Sequence, residues 1–248
     1  VKLMNLIFEE LDYQPTPLGD ISLRRRADPR LEGLIIYEVL LGEEFLMSSL
    51  FTDAEIQLSS LGLTALENAG YSKNLDVVVG GLGLGYTAVA ALQGSAVSSL
   101  RVVEVMQPVI DWHQRALVPL GKELSSDPRC TFVHADFFAV ATAAEGFDES
   151  DPAKQVHAVF LDIDHSPTHW LNQGNSSFYT REGLQSMSDK ILPGGIFGLW
   201  SNDPPDNDFT NLLESIFESV ETHVVSFTNP YTQGESSNTV YIAHLAAE

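Results

Sequence analysis

The first part of the chain alternates between apolar and polar positions in a way that predicts short β-strands. The runs 21–23, 34–41 and 44–47 are rich in side chains that favour strands, and Gly42 separates the last two runs. We therefore predict a small β-unit over residues 1–52, placed before the rest of the chain.

A helix is predicted directly after this unit. Thr52 and Glu55 have the spacing of a capping box, in which the two residues close the first turn of a helix. Apolar residues then recur with a helical period from Ile56 to Leu66, and Gly70 marks the end of the helix.

From residue 75 onward, apolar runs typical of strands alternate with runs typical of helices. The predicted strands are 75–79, 100–105, 131–134, 156–163, 195–200, 221–227 and 238–244, and the main predicted helices are 86–92, 109–120, 181–191 and 209–220. Continuous apolar strands joined by helices indicate a parallel sheet covered on both faces, and the last two strands indicate a hairpin at one edge. The predicted fold class is α/β, with a seven-stranded, mostly parallel sheet in residues 53–248.

The charge and the cysteine content of the chain exclude some classes of function and structure. The chain has 13 Lys and Arg against 34 Asp and Glu, a net charge of −21, which repels a phosphate backbone. We therefore expect no nucleic-acid partner and favour a small cation. The single cysteine, Cys130, excludes a disulfide framework and a cysteine-based metal centre. We interpret the arginines at 24–26 and Arg30 as a solvated strand edge.

One uncharged stretch, from Val77 to Leu100, is long enough to span a bilayer. Its glycines and serines fit a strand, a glycine turn and a buried helix better than a membrane span. No signal peptide is predicted, because Lys2 is soon followed by Glu9 and Glu10. We expect a soluble, cytoplasmic protein with no membrane partner.

Glycines cluster directly after the first strand of the alternating region. Gly81, Gly83 and Gly85 form a G-x-G-x-G turn, with Gly80 just before it. Ligands of open parallel sheets bind beyond the carboxyl ends of the strands, where glycine allows close approach to the main chain. The spacing fits a single nucleoside better than a dinucleotide. A tight turn without a ligand is the alternative.

Acidic residues follow the next two strands. Glu104 comes 19 residues after Gly85, a spacing that suits a carboxylate binding the hydroxyls of a ribose. The alternative is a solvated acid at a strand end. Asp136 is placed to accept a hydrogen bond from an exocyclic amino group, and Phe137 to cover a base. Alternatively, Asp136 is the N-cap of the helix that begins at Phe137.

A second acidic group closes the fourth strand of this region. Asp162, Asp164 and His165 lie within four positions, and the two carboxylates share a side if the strand remains extended. Such a pair raises one pKa or requires a cation, which a protonated amine would supply. The alternative is that Asp164 caps the loop. We expect no metal, because Pro167 interrupts the spacing between His165 and His169.

The order of these motifs resembles the class I S-adenosylmethionine-dependent methyltransferase fold, which is Rossmann-like, and more closely its spermidine synthase branch. The supporting segments are 77–85, 101–105, 134–136, the strand ending in Asp162, 192–196 and, in the N-terminal part, 17–23 and 45–55. The resemblance covers about residues 17–245.

The resemblance implies a transferase that moves an aminopropyl or methyl group to a small cationic amine, such as a polyamine precursor. The co-substrate would be S-adenosylmethionine or its decarboxylated form. Glu104 would bind the ribose, Asp136 the adenine, and Asp162 would orient the amine, with Asp164 or His165 accepting its proton. By analogy, a homodimer is expected.

The sequence departs from the spermidine synthase pattern at three places. Gly83 stands where those enzymes have an Asp, His165 replaces a second Asp, and residues 58–60 are Leu-Ser-Ser instead of Tyr-His-Glu. These changes remove contacts to a cationic amine. Two alternatives therefore stay open: an S-adenosylmethionine-dependent methyltransferase of a small molecule, and a catalytically silent nucleoside-binding homologue.

Overall fold

The computed structural model describes residues 8–247. Lys2, on which the expectation about a signal peptide partly rests, lies outside this range. Residues 1–7 of the predicted β-unit and the last residue of the chain lie outside it as well.

The N-terminal part forms a four-stranded antiparallel sheet whose strands follow one another in chain order. The strands are β1 (Phe8–Thr16), β2 (Gly19–Asp28), β3 (Leu34–Leu41) and β4 (Glu44–Ser48). The sequence did not predict β1, because few of its side chains are apolar and most are exposed. Ile21, Leu23 and Val39 turn the inner face of this sheet toward the core of the protein.

The second sheet has seven strands in the order β7-β6-β5-β8-β9-β11-β10. Its strands are β5 (Leu75–Gly80), β6 (Val97–Glu104), β7 (Cys130–His134), β8 (Val156–Leu161), β9 (Ile191–Ser201), β10 (Ser219–Asn229) and β11 (Gly234–His244). Only β11 runs antiparallel to its neighbours, β9 and β10. The predicted α/β class, with a seven-stranded, mostly parallel sheet behind a small β-segment, is confirmed.

Helices cover both faces of the seven-stranded sheet. They are α1 (Asp53–Asn68), α2 (Tyr86–Gln93), α3 (Gln107–Gln114), α4 (Gly121–Ser126), α5 (Phe137–Thr142), α6 (Arg181–Ser188) and α7 (Asn207–Glu214). The first four pack into one core and the last three into the other. The helix predicted over 109–120 is shorter in the structure: α3 ends at Gln114, Ala116 beyond it adopts a left-handed conformation with φ of +53°, and the next helix, α4, begins only at Gly121.

The uncharged stretch from Val77 to Leu100 is divided into β5, the glycine turn, α2 and the start of β6, as expected. None of the helices within residues 8–247 combines the length and the apolar character that a membrane crossing requires.

The arginines of β2 are partly exposed and form ion pairs with carboxylates of the neighbouring strands. Arg24 and Arg26 each bind the carboxylate of Glu38 on β3 through Nε, at 2.7 and 2.8 Å. The interpretation as a strand edge is wrong, because β2 lies between β1 and β3. Asp28, which is fully buried, accepts hydrogen bonds from Arg26, Arg30 and the hydroxyl of Tyr231.

Side-chain hydrogen bonds join the small sheet to the α/β part of the chain. Trp112 of α3 donates to Asp12 Oδ2 of β1 at 2.7 Å. At the other end, Tyr231, in the turn between β10 and β11, donates to Asp28 Oδ2 at 2.9 Å. These contacts hold the four-stranded sheet over the carboxyl ends of the parallel strands.

Candidate active site

A cavity of about 400 Å³ lies at the carboxyl ends of β5, β6 and β8. The glycine turn and the acidic residues of the parallel strands line one side of it. Residues of β3, β4 and β10 line the other side. The volume is in the range of pockets that hold small molecules.

The turn after β5 can be built only from glycine at its central positions. Gly81 and Gly85 both have φ of +94°, and Gly83 has φ of +46°. A Cβ on Gly81 would lie 2.2 Å from the backbone oxygen of Asp162, and one on Gly80 would lie 2.6 Å from the ring of Phe137. The turn therefore packs directly against the segment that follows β8, and its main chain lines the cavity.

Glu104 fastens this turn to the end of β6. Its carboxylate accepts hydrogen bonds from the backbone N–H of Leu82 at 3.0 Å and of Met106 at 2.8 Å. The residue is 6% exposed, so it is not a solvated strand-end acid. Burial raises the pKa of the carboxyl group, and the backbone donors oppose that effect. Each carboxylate oxygen can accept a further hydrogen bond, so Glu104 can both hold the turn and bind a diol.

Asp136 caps α5 and also lines the cavity. Its Oδ1 accepts from the backbone N–H of Phe138 at 2.9 Å and of Ala139 at 3.4 Å. The alternative of an N-cap is therefore what the structure shows, without removing the residue from the cavity wall. Phe137 also lines the cavity, but it is only 1% exposed and its ring packs between Phe147 and Phe178.

Asp162 directly follows β8 and lines the cavity beside the glycine turn. Its backbone N–H donates to Gly80 O at 2.8 Å, and its Oδ2 accepts from Thr87 Oγ1 at 2.6 Å. Burial raises the pKa of Asp162 to about 6, although the Thr87 hydroxyl opposes the rise. Near neutral pH, Asp162 is therefore a carboxylate that can still take up a proton.

A second carboxyl group, which the sequence did not predict as a site residue, lines the same cavity. Glu55 lies in the first turn of α1, and burial together with the charge of Asp162 raises its pKa to about 8. The predicted capping box is wrong, because Thr52 makes no capping hydrogen bond with its side chain. Near pH 7, Glu55 and Asp162 together hold one proton and carry one negative charge.

Asp164 does not share the cavity with Asp162, contrary to the expectation from strand alternation. The strand ends at Leu161, so the two carboxylates do not point to one side. Asp164 is 3% exposed and accepts from Leu171 N, Asn175 Nδ2 and Tyr179 Oη at 2.8–2.9 Å. The alternative that it organises the loop is what the structure shows.

His165 lines the cavity, but its ring is engaged by a residue of the small sheet. Its Nε2 lies 2.9 Å from Glu44 Oε1 of β4, and its ring contacts that of His169 at 4.9 Å between centroids. In the part of the chain that the structure describes, no three His, Cys, Asp or Glu side chains form a group that could hold a metal ion.

Solved structures with the same architecture have low sequence identity to this chain. The spermidine synthase of Thermotoga maritima is 15% identical over 96% of this chain and 74% of its own, with a TM-score of 0.69. A spermidine synthase in complex with the transition-state analogue AdoDATO is 16% identical over 96% of this chain and 73% of its own, with a TM-score of 0.67.

The chain has the spermidine synthase fold. The resemblance inferred from the motif order is thereby confirmed at the level of fold. Human methyltransferase-like protein 13, solved in complex with SAH, has a similar fold, at 18% identity over 79% of this chain and 83% of its own, with a TM-score of 0.60. No protein-family model and no curated protein sequence matches the chain.

Proposed function

We propose that this protein transfers an aminopropyl or methyl group from a sulfonium nucleoside to an amine. The observation that carries the proposal is the shared cavity of Glu104, at the glycine turn, and the Glu55–Asp162 pair. One end offers acceptors for a nucleoside, and the other offers one negative charge and a place for a proton.

The residues at the nucleoside end suit S-adenosylmethionine or its decarboxylated form. The turn from Gly81 to Gly85 lines the cavity and presents no glycine side chain to it, so a ligand can lie against the main chain there. The buried carboxylate of Glu104 suits vicinal hydroxyls, and Asp136 suits an exocyclic amino group. When bound, such a nucleoside supplies an electrophilic carbon, whose bond to sulfur breaks as the amine nitrogen bonds to that carbon and the electron pair stays on sulfur as a neutral thioether.

The chain's own residues would bind the amine and remove its proton. Asp162 is ionised above about pH 6 and can hold an ammonium group. It can then take one proton, which frees the nitrogen lone pair for attack. Glu55, protonated at neutral pH, keeps the pair at one negative charge. Positioning the two reactants in one enclosed cavity would provide most of the rate enhancement.

Charge favours the decarboxylated nucleoside as donor, and hence aminopropyl transfer. Within residues 8–247, neither Lys nor Arg lines the cavity, so a ligand carboxylate would meet no cationic side chain. Methyl transfer is the second candidate, and the contact that favours it is Met47, whose Sδ would lie 2.6 Å from a Cβ on Gly83. This thioether offers no charge to the ammonium group of the donor, which in S-adenosylmethionine is balanced by the ligand's own carboxylate and in the decarboxylated form is not.

Calorimetric titration with S-adenosylmethionine, its decarboxylated form and methylthioadenosine tests the proposal. We expect binding of at least one nucleoside, lost in Glu104→Ala and retained in the control Glu123→Ala on the surface of α4. A preference for the decarboxylated form would support aminopropyl transfer, and a preference for the carboxylated form would support methyl transfer. Binding without transfer to any amine would indicate a silent homologue. If no nucleoside binds, the proposal is wrong.

A further inference from the structure

Most side chains on the wall of the cavity opposite the glycine turn are apolar, and Ser48 of β4 is a polar exception. The small sheet, the segment before α1 and β10 supply this wall, which we call the acceptor wall. Its members are Leu18, Leu41, Phe45, Leu46, Phe51 and Phe227. The rings of Phe51 and Phe227 pack against each other at 5.3 Å between centroids and are tilted by 38°, so part of the wall is aromatic.

Charged groups are few on this side of the cavity. Among residues 8–247, the acidic and basic side chains that line the whole cavity are Glu55, Glu104, Asp136, Asp162 and His165. Glu104 and Asp136 are tied to the backbone at the nucleoside end. His165 is paired with Glu44 at the rim. The Glu55–Asp162 pair is what remains to receive a cation.

A ligand with two ammonium groups does not match this surface. Each cation that leaves water needs a carboxylate or several other acceptors to offset its lost hydration, and the acceptor wall provides none. An alkyl or aryl group, by contrast, is stabilised by burying its apolar surface against this wall. The wall therefore selects against a second charge and in favour of an apolar body.

We propose that the amine substrate is a monoamine, with one cationic group at Glu55 and Asp162 and an alkyl or aryl body against the acceptor wall. This inference rests on the proposed function, since it takes the amine as the second reactant. It differs from the polyamine expectation, which requires at least two cationic groups. Trp200, whose buried Nε1 has no hydrogen-bond partner, lies in the same cavity and offers a donor to a ligand with a polar atom on its ring or chain.

Hexylamine and 1,5-diaminopentane form a matched pair for the test, because they have equal numbers of non-hydrogen atoms and differ in a terminal methyl or ammonium group. Calorimetric titration of each amine into the full chain, with and without saturating methylthioadenosine, measures the preference without requiring turnover. We expect hexylamine to bind at least tenfold more tightly. Equal binding, tighter binding of the diamine, or binding of neither amine would overturn the inference.

Phe45 provides a variant that should change this preference without disturbing the core, because it is 49% exposed at the rim of the cavity. In Phe45→Glu, we expect the preference for hexylamine to fall at least tenfold, because the new carboxylate can pair with the second ammonium group. Phe8→Glu, on β1 of the same sheet and 65% exposed, is the control and should keep the original preference. An unchanged preference in Phe45→Glu would contradict the role of the acceptor wall.

The two proposals can fail separately. If no nucleoside binds but hexylamine is still preferred, the proposed function is wrong and the assignment of the acceptor wall stands. If nucleosides bind and the diamine is preferred, the proposed function stands and the monoamine is wrong.

Discussion

The hydroxyl of Thr87 donates a hydrogen bond of 2.6 Å to Asp162 Oδ2. Thr87 lies in the first turn of α2, and Asp162 follows β8, so the bond joins segments that are 75 positions apart in the sequence. It stabilises the ionised form of a carboxyl group that burial would otherwise keep protonated. The charge at the end of β8 therefore depends on a residue from another element.

Removing this donor should raise the pKa of Asp162 further. Thr87→Val removes a hydrogen bond to a charged group, and losing such a bond should raise the pKa of Asp162 by about 1 or more. NMR titration of the carboxyl groups should show the upward shift, and the acidic limb of a pH–rate profile should move with it. Thr64→Val, on the exposed side of α1, is the control. An unchanged titration in Thr87→Val would contradict the assigned role of the bond.

Glu55→Gln should stabilise the protein at alkaline pH. The pKa of Glu55 is raised from its usual value to about 8 in the folded state, so its ionisation destabilises the fold as the pH rises from about 4.5 through 8. The variant removes that cost. We expect Tm at pH 9 to rise by about 2–4 °C, the effect of 1 kcal/mol in a domain of this size, with little change at pH 4. Glu67→Gln, exposed near the end of α1, should show no such pH dependence. If Glu55→Gln lowers stability equally at all pH values, then ionisation of Glu55 does not destabilise the fold.

Asp28→Asn should destabilise the protein near neutral pH and have less effect at acidic pH, the reverse of the pH dependence expected for Glu55. The guanidinium groups of Arg30 and Arg26 hold the pKa of Asp28 well below its usual range. Its contribution is therefore complete above about pH 4 and is lost as the pH falls further. The difference in Tm between the wild type and Asp28→Asn should be largest at pH 5–7 and should shrink below pH 4. Asp151→Asn, in an exposed loop, is the matched control. A difference that does not vary with pH would mean that the charge is unimportant.

Two glycines with nearly identical backbone angles separate the effect of strain from that of close packing. Gly81 and Gly70 have φ of +94° and +95°, but only a Cβ at Gly81 meets a neighbour, at 2.2 Å from Asp162 O. Gly70→Ala should cost about 1–2 kcal/mol of unfolding free energy, the strain of a left-handed residue. Gly81→Ala should cost at least about 2 kcal/mol more and should weaken nucleoside binding, because Asp162 must move. Denaturant unfolding and calorimetry measure both effects, and equal losses would contradict the close approach.

Much of the fold could be predicted from local patterns. Apolar runs such as 75–79 and 156–163 indicate buried parallel strands, because both faces of such a strand are covered. Most strands of the larger sheet, and most helices that cover it, lie close to the predicted positions. The edge strand β1 could not be found in this way. Most of its side chains are exposed, so they show no alternation of apolar and polar positions. Its pairing with β2 is seen only in the tertiary structure.

The sequence by itself determined the glycine turn, Glu104 at the end of β6 and Asp162 at the end of β8, because each depends on a strand and on the rule that ligands bind beyond its carboxyl end. Only the tertiary structure decided which second carboxyl group accompanies Asp162. Asp164 lies two positions away but turns into its own loop, whereas Glu55, distant in the sequence, is brought into the cavity by the packing of α1 on the sheet. The physical reason is that the direction of a side chain beyond a strand end depends on the backbone turn and on the hydrogen-bond partners that the rest of the fold supplies there.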